Sequence, residues 1–353
     1  MTELLTRERI TVKEGWRTFA DQPTPPAPER LTQKELDDLE PTRKHQYDMA
    51  RIHYAAKMPP ITKLFERSHE ELTLLMLINE HRPPGARPGI AIDGDPGNGK
   101  TTVITEFGRK YEREQRALHP GDLTPEGNEF IPVVYVNVDA YPTIKGLNRA
   151  LLEFYGIVLR NASTSEMTKL VFDCVKQCHT TLIMIDDVHM LELHRNSDRD
   201  VNNHLKRLAN DARATFVYAG VGLEKRGFMM EGIMDEDAKL SQISRRFKRI
   251  PAAPLSRFSQ EDRGLMSGIL NLYEKQLPLA KARPRDLVTN ASYIWDRTQG
   301  VIGSISQLVT EAYARAILSG EERITKKLIE SMTLVQAAES GYETMGNRKK
   351  KAA

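Results

Sequence analysis

One octapeptide constrains this chain more than any other feature: Gly94, Asp95, Pro96, Gly97, Asn98, Gly99, Lys100 and Thr101, in that order. It fits G-x-x-x-x-G-K-[ST] and lies between an apolar run at 90–92 and a segment with helical character at 101–112. Glycines at 94, 97 and 99 allow the backbone to curl so that its N–H groups face inward as an anion nest. A helix starting near Gly99 adds its positive dipole end. Lys100 then supplies a mobile positive charge for β- and γ-phosphates, and the Thr101 hydroxyl is suited to Mg²⁺. The bland alternative is a chance glycine turn, and the lysine, the threonine and the strand–helix context all argue against it. The expected nucleotide-binding residues are Gly94, Asp95, Pro96, Gly97, Asn98, Gly99, Lys100, Thr101 and Thr102, and the expected cofactors are ATP and Mg²⁺.

Around this loop the pattern alternates. Runs at 133–138, 181–185 and 214–219 read as buried strands, and segments at 144–155, 165–177 and 201–210 read as helices. Strands alternating with helices of this length predict an α/β fold with a parallel sheet covered on both faces. After Ile250 the character changes. Pro251 and Pro254 mark a hinge, and 260–274, 286–298, 302–318 and 325–337 read as four helices with no strand between them. Upstream, prolines at 23, 25, 26 and 28 exclude regular helix or central strand and read as an extended linker. Helical segments are expected at 33–56 and 61–81. The expected organisation is an N-terminal extension at 1–60, a nucleotide-binding core at 61–250, a helical lid at 251–337 and a basic tail at 338–353.

Two further clusters bear on chemistry. The strand at 181–185 ends in Asp186 and Asp187. In an open parallel sheet, ligands sit beyond the carboxyl ends of the strands. Asp186 is expected to hold Mg²⁺, and Asp187 stands where a general base would activate water. Aspartate is one methylene shorter than glutamate, and a displacement of about 1 Å can cost on the order of 100-fold in rate. The second cluster, Ser244 to Arg249, is strongly basic. An arginine there, Arg246 ahead of Arg245, would stabilise charge on a transferring phosphoryl group from across a subunit interface. The alternative is an exposed basic helix end.

Net charge is +3, so bulk charge neither requires nor excludes nucleic acid. Lys145, Arg149, Lys206 and Arg207 are candidates for a DNA-facing surface. The two cysteines, Cys174 and Cys178, exclude a disulfide framework and lack the partners a zinc site needs. No apolar run approaches the roughly 20 residues that span a bilayer. A cytoplasmic location without membrane contact is expected.

The order of phosphate loop, acidic strand, further strand, Arg-Arg-Phe and helical lid resembles the AAA+ plan. Within it, the chain resembles the TniB/TnsC-type transposition ATPases. The stretches that carry this are Val133 to Val136 with Tyr141-Pro142-Thr143, Ile185 to His189, Ile250-Pro251 through Leu279, and Thr298 to Ile305. The resemblance implies a P-loop NTPase of AAA+ type, with a parallel sheet sandwiched by helices and a small C-terminal helical lid. It also implies an oligomer, ring or filament, assembled on duplex DNA with ATP, which recruits a DDE-type transposase and is dismantled by hydrolysis. Three positions depart from the common AAA+ pattern: Asp187 in place of glutamate, no polar residue where the strand at 214–219 ends, and Ser306 where many lids carry arginine. Slow, DNA-stimulated ATP hydrolysis is therefore expected. The rival readings are a signalling or defence NTPase switch and a replication-initiator or helicase-loader ATPase.

Overall fold

The computed structural model describes residues 9–58, 61–83, 87–138, 143–191, 204, 208, 212–223 and 247–334. The chain packs as two compact units, Met1–Gln22, Phe65–Pro96 and Lys100–Ala252 forming the first, Pro23–Leu64, Gly97–Gly99 and Ala253–Ala353 the second.

The first unit is built on five parallel strands: β1 (Gly89–Asp93), β2 (Val133–Asn137), β3 (Leu182–Asp186), β4 (Thr215–Gly220) and β5 (Phe247–Pro251). Their spatial order is β2-β3-β4-β1-β5. Every residue of β1, β3 and β4 is buried, which requires both faces of the sheet to be covered. The helices of this unit are α1 (Lys13–Asp21), α4 (Glu66–Glu80), α5 (Lys100–Ala117), α6 (Ile144–Phe154) and α7 (Thr164–Gln177). α5 packs against β2, β3 and β4, α4 against β4, α6 against β2, and α1 against α5. Local chemistry sets the helix starts. Thr143 accepts from the Gly146 N–H ahead of α6, and Ser163 and Glu166 form a reciprocal capping box at α7.

β5 differs from the sequence expectation. The basic run before Pro251 reads as a turn or helix end, yet Phe247–Pro251 pairs in parallel with β1, Ile90 opposite Lys248. It lies at the edge of the sheet, and its exposed Lys248 and Arg249 discourage further pairing. Gly89 makes room for it: a Cβ there would lie 2.5 Å from the Phe247 ring.

The second unit contains α2 (Gln33–Asp37), α3 (Pro41–Ala56), α8 (Gln260–Gln276), α9 (Asp286–Thr289), α10 (Ala291–Thr298), α11 (Ile302–Leu318) and α12 (Lys326–Glu330). Its core is apolar, with Leu270, Ile294, Leu308, Val309, Tyr313 and Ile329 fully buried. Among the described residues of the expected 1–60 extension, those through Gln22 group with the sheet unit and those from Pro23 onward with the C-terminal helices. The tie is Arg51 on α3, whose guanidinium makes two 2.8 Å bonds to the buried Glu322 carboxylate.

Two helices also differ in extent. The segment 286–298 is split at Asn290, whose Nδ2 bonds the Asp286 carbonyl at 2.8 Å and competes with helix continuation. The last helix ends at Glu330 because buried Arg297 takes the Ile329 carbonyl at 3.0 Å and the Met332 carbonyl at 2.8 Å. The expected helix 201–210 and the tail 338–353 lie outside the described residues, apart from helical His204 and Leu208.

Candidate nucleotide site

The loop after β1 starts at a position that only glycine can occupy. A Cβ on Gly94 would lie 1.9 Å from the Ala252 carbonyl oxygen, so no side chain fits. Gly97 and Gly99 have φ of +81° and +78°, conformations glycine adopts without steric penalty. Between them Asn98 is buried, and neither its Nδ2 nor its Oδ1 has a hydrogen-bond partner. Buried polar atoms are ordinarily bonded, so two unpartnered atoms on one side chain in this loop fit a polar ligand.

α5 opens at Lys100, which is buried, and its ammonium donates to the Asp95 carbonyl at 3.0 Å. Burial pushes its pKa down, and the carboxylates of Asp186, Asp187, Asp95 and Asp93 oppose that shift. Asp186, at the carboxyl end of β3, is buried. Burial raises its pKa, and the Thr101 side chain is the largest opposing influence. Its Oδ1 accepts the Asp187 N–H at 2.9 Å and its Oδ2 accepts the Tyr135 hydroxyl at 3.0 Å. Asp187 is left-handed, with φ 51°. Its Oδ2 accepts from Asn137 Nδ2 at 2.8 Å, and His189 Nδ1 stands 3.9 Å from its Oδ1. A short cation, a hydroxyl and a carboxylate thus converge beside main-chain amides. That donor set suits a polyphosphate with a divalent cation.

The remaining candidates fall in several places. Thr102 is partly buried on the first turn of α5. Lys145 is exposed and Arg149 partly buried, one turn apart on α6. Lys206, Arg207, Arg245 and Arg246 lie outside the described residues. Arg249, from the same basic run, reaches Asp93 Oδ2 with its Nε at 3.1 Å, and the other Asp93 oxygen accepts the Leu223 N–H at 3.0 Å. Asp93 thereby fixes the strand end from which the loop departs. Among the described residues no cluster of histidine, cysteine and carboxylates could hold a metal, and no helix is long and apolar enough to cross a membrane.

Sequence reasoning missed Tyr135, Asn137, Asp93 and Arg249. A polar or charged residue at the end of an otherwise apolar strand signals Asn137 and Asp93. Nothing local signals Tyr135, whose hydroxyl bonds a residue on the neighbouring strand.

The sheet order, the loop and the helical C-terminal unit define the class: this is a AAA+ P-loop ATPase fold. The Aeropyrum pernix ORC2 protein, solved as ADPNP–ADP complexes, is similar with a TM-score of 0.53 and 15% identity over 74% of this chain and 66% of that one. Cdc6p from Pyrobaculum aerophilum is similar with a TM-score of 0.52 and 17% identity over 76% and 65%. Drosophila ORC bound to DNA gives a TM-score of 0.50 at 14% identity over 90% and 72%. The chain spans just under two thirds of the first two proteins. Residues 55–257, more than half of the chain, match the family described as bacterial TniB protein, and the chain belongs to that family. No curated protein matches it.

Proposed function

We propose that this chain binds ATP at the 94–102 loop, hydrolyses it slowly, and uses the bound state to assemble with further copies on duplex DNA as a regulator of transposition that recruits a DDE-type transposase. The observation that carries nucleotide binding is the glycine-shaped loop around buried, unpartnered Asn98, leading directly into buried Lys100. Membership of the TniB family supports the transposition reading.

In this reading Lys100 and the loop amides hold the β- and γ-phosphates, and Asn98 gains the partners it lacks. Mg²⁺, held by the Thr101 hydroxyl and Asp186, would supply charge neutralisation between those phosphates. Asp187 orients water, and its reach is limited by the short side chain and by its bond to Asn137. Hydrolysis is accordingly slow. Arg246 of a neighbouring copy completes the site, and Lys145, Arg149, Lys206 and Arg207 face phosphates of the duplex.

The likeness to ORC2 and Cdc6p favours one rival, a replication-initiator-like ATPase. The test is electron microscopy and gel shift of the full chain on duplex DNA, with and without a non-hydrolysable ATP analogue, followed by addition of a DDE-type transposase. Nucleotide-dependent assemblies that retain the transposase are expected. Absence of any nucleotide-dependent DNA complex contradicts the proposal, and a complex that retains a replicative helicase instead favours the rival.

A further inference from the structure

Tyr135 is a tyrosine in the middle of a buried apolar strand. A hydroxyl taken out of water is unfavourable unless it finds a partner. Phenylalanine would fill the same space without that penalty. The partner here is Asp186 Oδ2 at 3.0 Å. The second oxygen of that carboxylate is held by the Asp187 N–H at 2.9 Å. One bond to each oxygen restrains the rotation of the carboxylate about its own axis and leaves each oxygen free to accept once more.

The Tyr135 ring is itself held. Trp16 of α1 stacks on it, with ring centroids 5.7 Å apart and an interplanar angle of 18°. Trp16 is buried and lies against Gly108 of α5, where a Cβ would come within 3.0 Å of its Cζ2. α1 is fastened on both sides of Trp16. Lys13 Nζ meets Glu129 at 2.5 Å, and Arg17 Nη2 donates to the Phe130 carbonyl at 2.9 Å. At its far end Arg113 Nη2 donates to the Gln22 carbonyl at 2.8 Å. α1 lies outside the segment that matches the family.

We propose that Tyr135 is the positioning residue for the Asp186 carboxylate, and that Trp16 makes α1 a part of the metal half of the nucleotide site. This rests on the ATP·Mg²⁺ reading above. Tyr135 acts on metal coordination and leaves the phosphate contacts of Lys100 and the loop unchanged. Loss of its hydroxyl frees the carboxylate to rotate, and loss of Trp16 loosens the ring that carries the hydroxyl.

The test uses the full chain with Mn²⁺ as a paramagnetic probe, titrated in the presence of a non-hydrolysable ATP analogue and followed by electron paramagnetic resonance. Analogue binding in EDTA is measured separately. Tyr135→Phe is expected to weaken Mn²⁺ about tenfold, as loss of one bond to a charged group does, while metal-free analogue affinity stays within about twofold. Trp16→Leu, which keeps the hydroxyl, is expected to weaken Mn²⁺ by a smaller factor, about threefold, again without change in EDTA. Unchanged Mn²⁺ affinity in Tyr135→Phe overturns the positioning role, and so does an equal loss with and without metal. Unchanged affinity in Trp16→Leu removes α1 from the site. A wild-type chain that binds no Mn²⁺ with the analogue contradicts the parent reading instead, so the two failures are distinguishable.

Discussion

Two clusters of buried charge sit in this molecule, and they are built on opposite principles. In the helical unit, the charge of buried Arg51 is met by acids: Glu322 takes two of its N–H groups at 2.8 Å, and Asp48 takes another at 2.5 Å, leaving Nε alone without a partner. In the nucleotide loop and the strand end beside it, buried Lys100 donates to one carbonyl, Asn98 has no partner at all, and burial pushes the pKa of Asp186 up and that of Lys100 down. The first cluster has its cation balanced by carboxylates of the chain itself and ties together stretches of chain 271 positions apart. The second is charged beyond what its own partners satisfy. Buried charge matched by protein is architecture, whereas buried charge left short of partners marks the place for a ligand of opposite and complementary charge.

The comparison can be broken most severely at Arg51. Arg51→Met strands two acidic groups, and breaking a buried pair in this way destabilises by about 3–5 kcal/mol. Denaturant unfolding is expected to show that loss while nucleotide affinity in the folded fraction stays the same; a stable variant would make the pair dispensable. The opposite is expected at Lys100. Lys100→Met removes charge-assisted bonds of roughly 1.5–3 kcal/mol and so lowers ATP affinity by on the order of 100-fold in calorimetric titration. Its folding stability is expected to hold or rise, because an underpaired buried charge is gone.

A third site tests the same idea away from the ligand. Glu112 on α5 is buried, and its pKa is pushed up to about 7 by desolvation against the pull of Arg116 and Arg17. The folded chain therefore holds a proton that the unfolded chain releases near the ordinary glutamate value of 4.5. Stability from this group is present below that value and is lost as pH rises toward 7. Glu112→Gln is expected to flatten this loss, with a gain of about 1–3 kcal/mol at pH 8 over the wild type. Parallel pH–stability curves for the two proteins would remove Glu112 from the account. The smallest effect is expected on the surface. Lys145→Ala should reduce the salt slope of duplex DNA binding by about one phosphate contact, and an unchanged slope would place DNA elsewhere.

Much of the sheet unit was legible because its strands are apolar runs and its loop is a motif with steric requirements of its own. The helical unit was legible in its C-terminal helices and opaque in its N-terminal part, since the Arg51–Glu322 pair leaves no local trace in sequence. β5 was missed for a related reason: an edge strand carries charges that read as a turn. The site was legible where one residue type has one use, as with Lys100 and Thr101. It was illegible where the residue works across strands, as with Tyr135 on Asp186.

The account depends on a triphosphate and its metal meeting at Lys100, Thr101 and Asp186. Thermal unfolding of wild type and Asp186→Asn, each with and without saturating ATP and Mg²⁺, tests this most directly. Binding at about 100 times Kd adds about 2.7 kcal/mol of stability to a folded protein. The wild type is expected to gain that upward shift, and Asp186→Asn is expected to start as stable as the wild type or more so and gain little from Mg²⁺ beyond ATP alone. A variant that is less stable without ligand yet keeps the full Mg²⁺-dependent shift would contradict it.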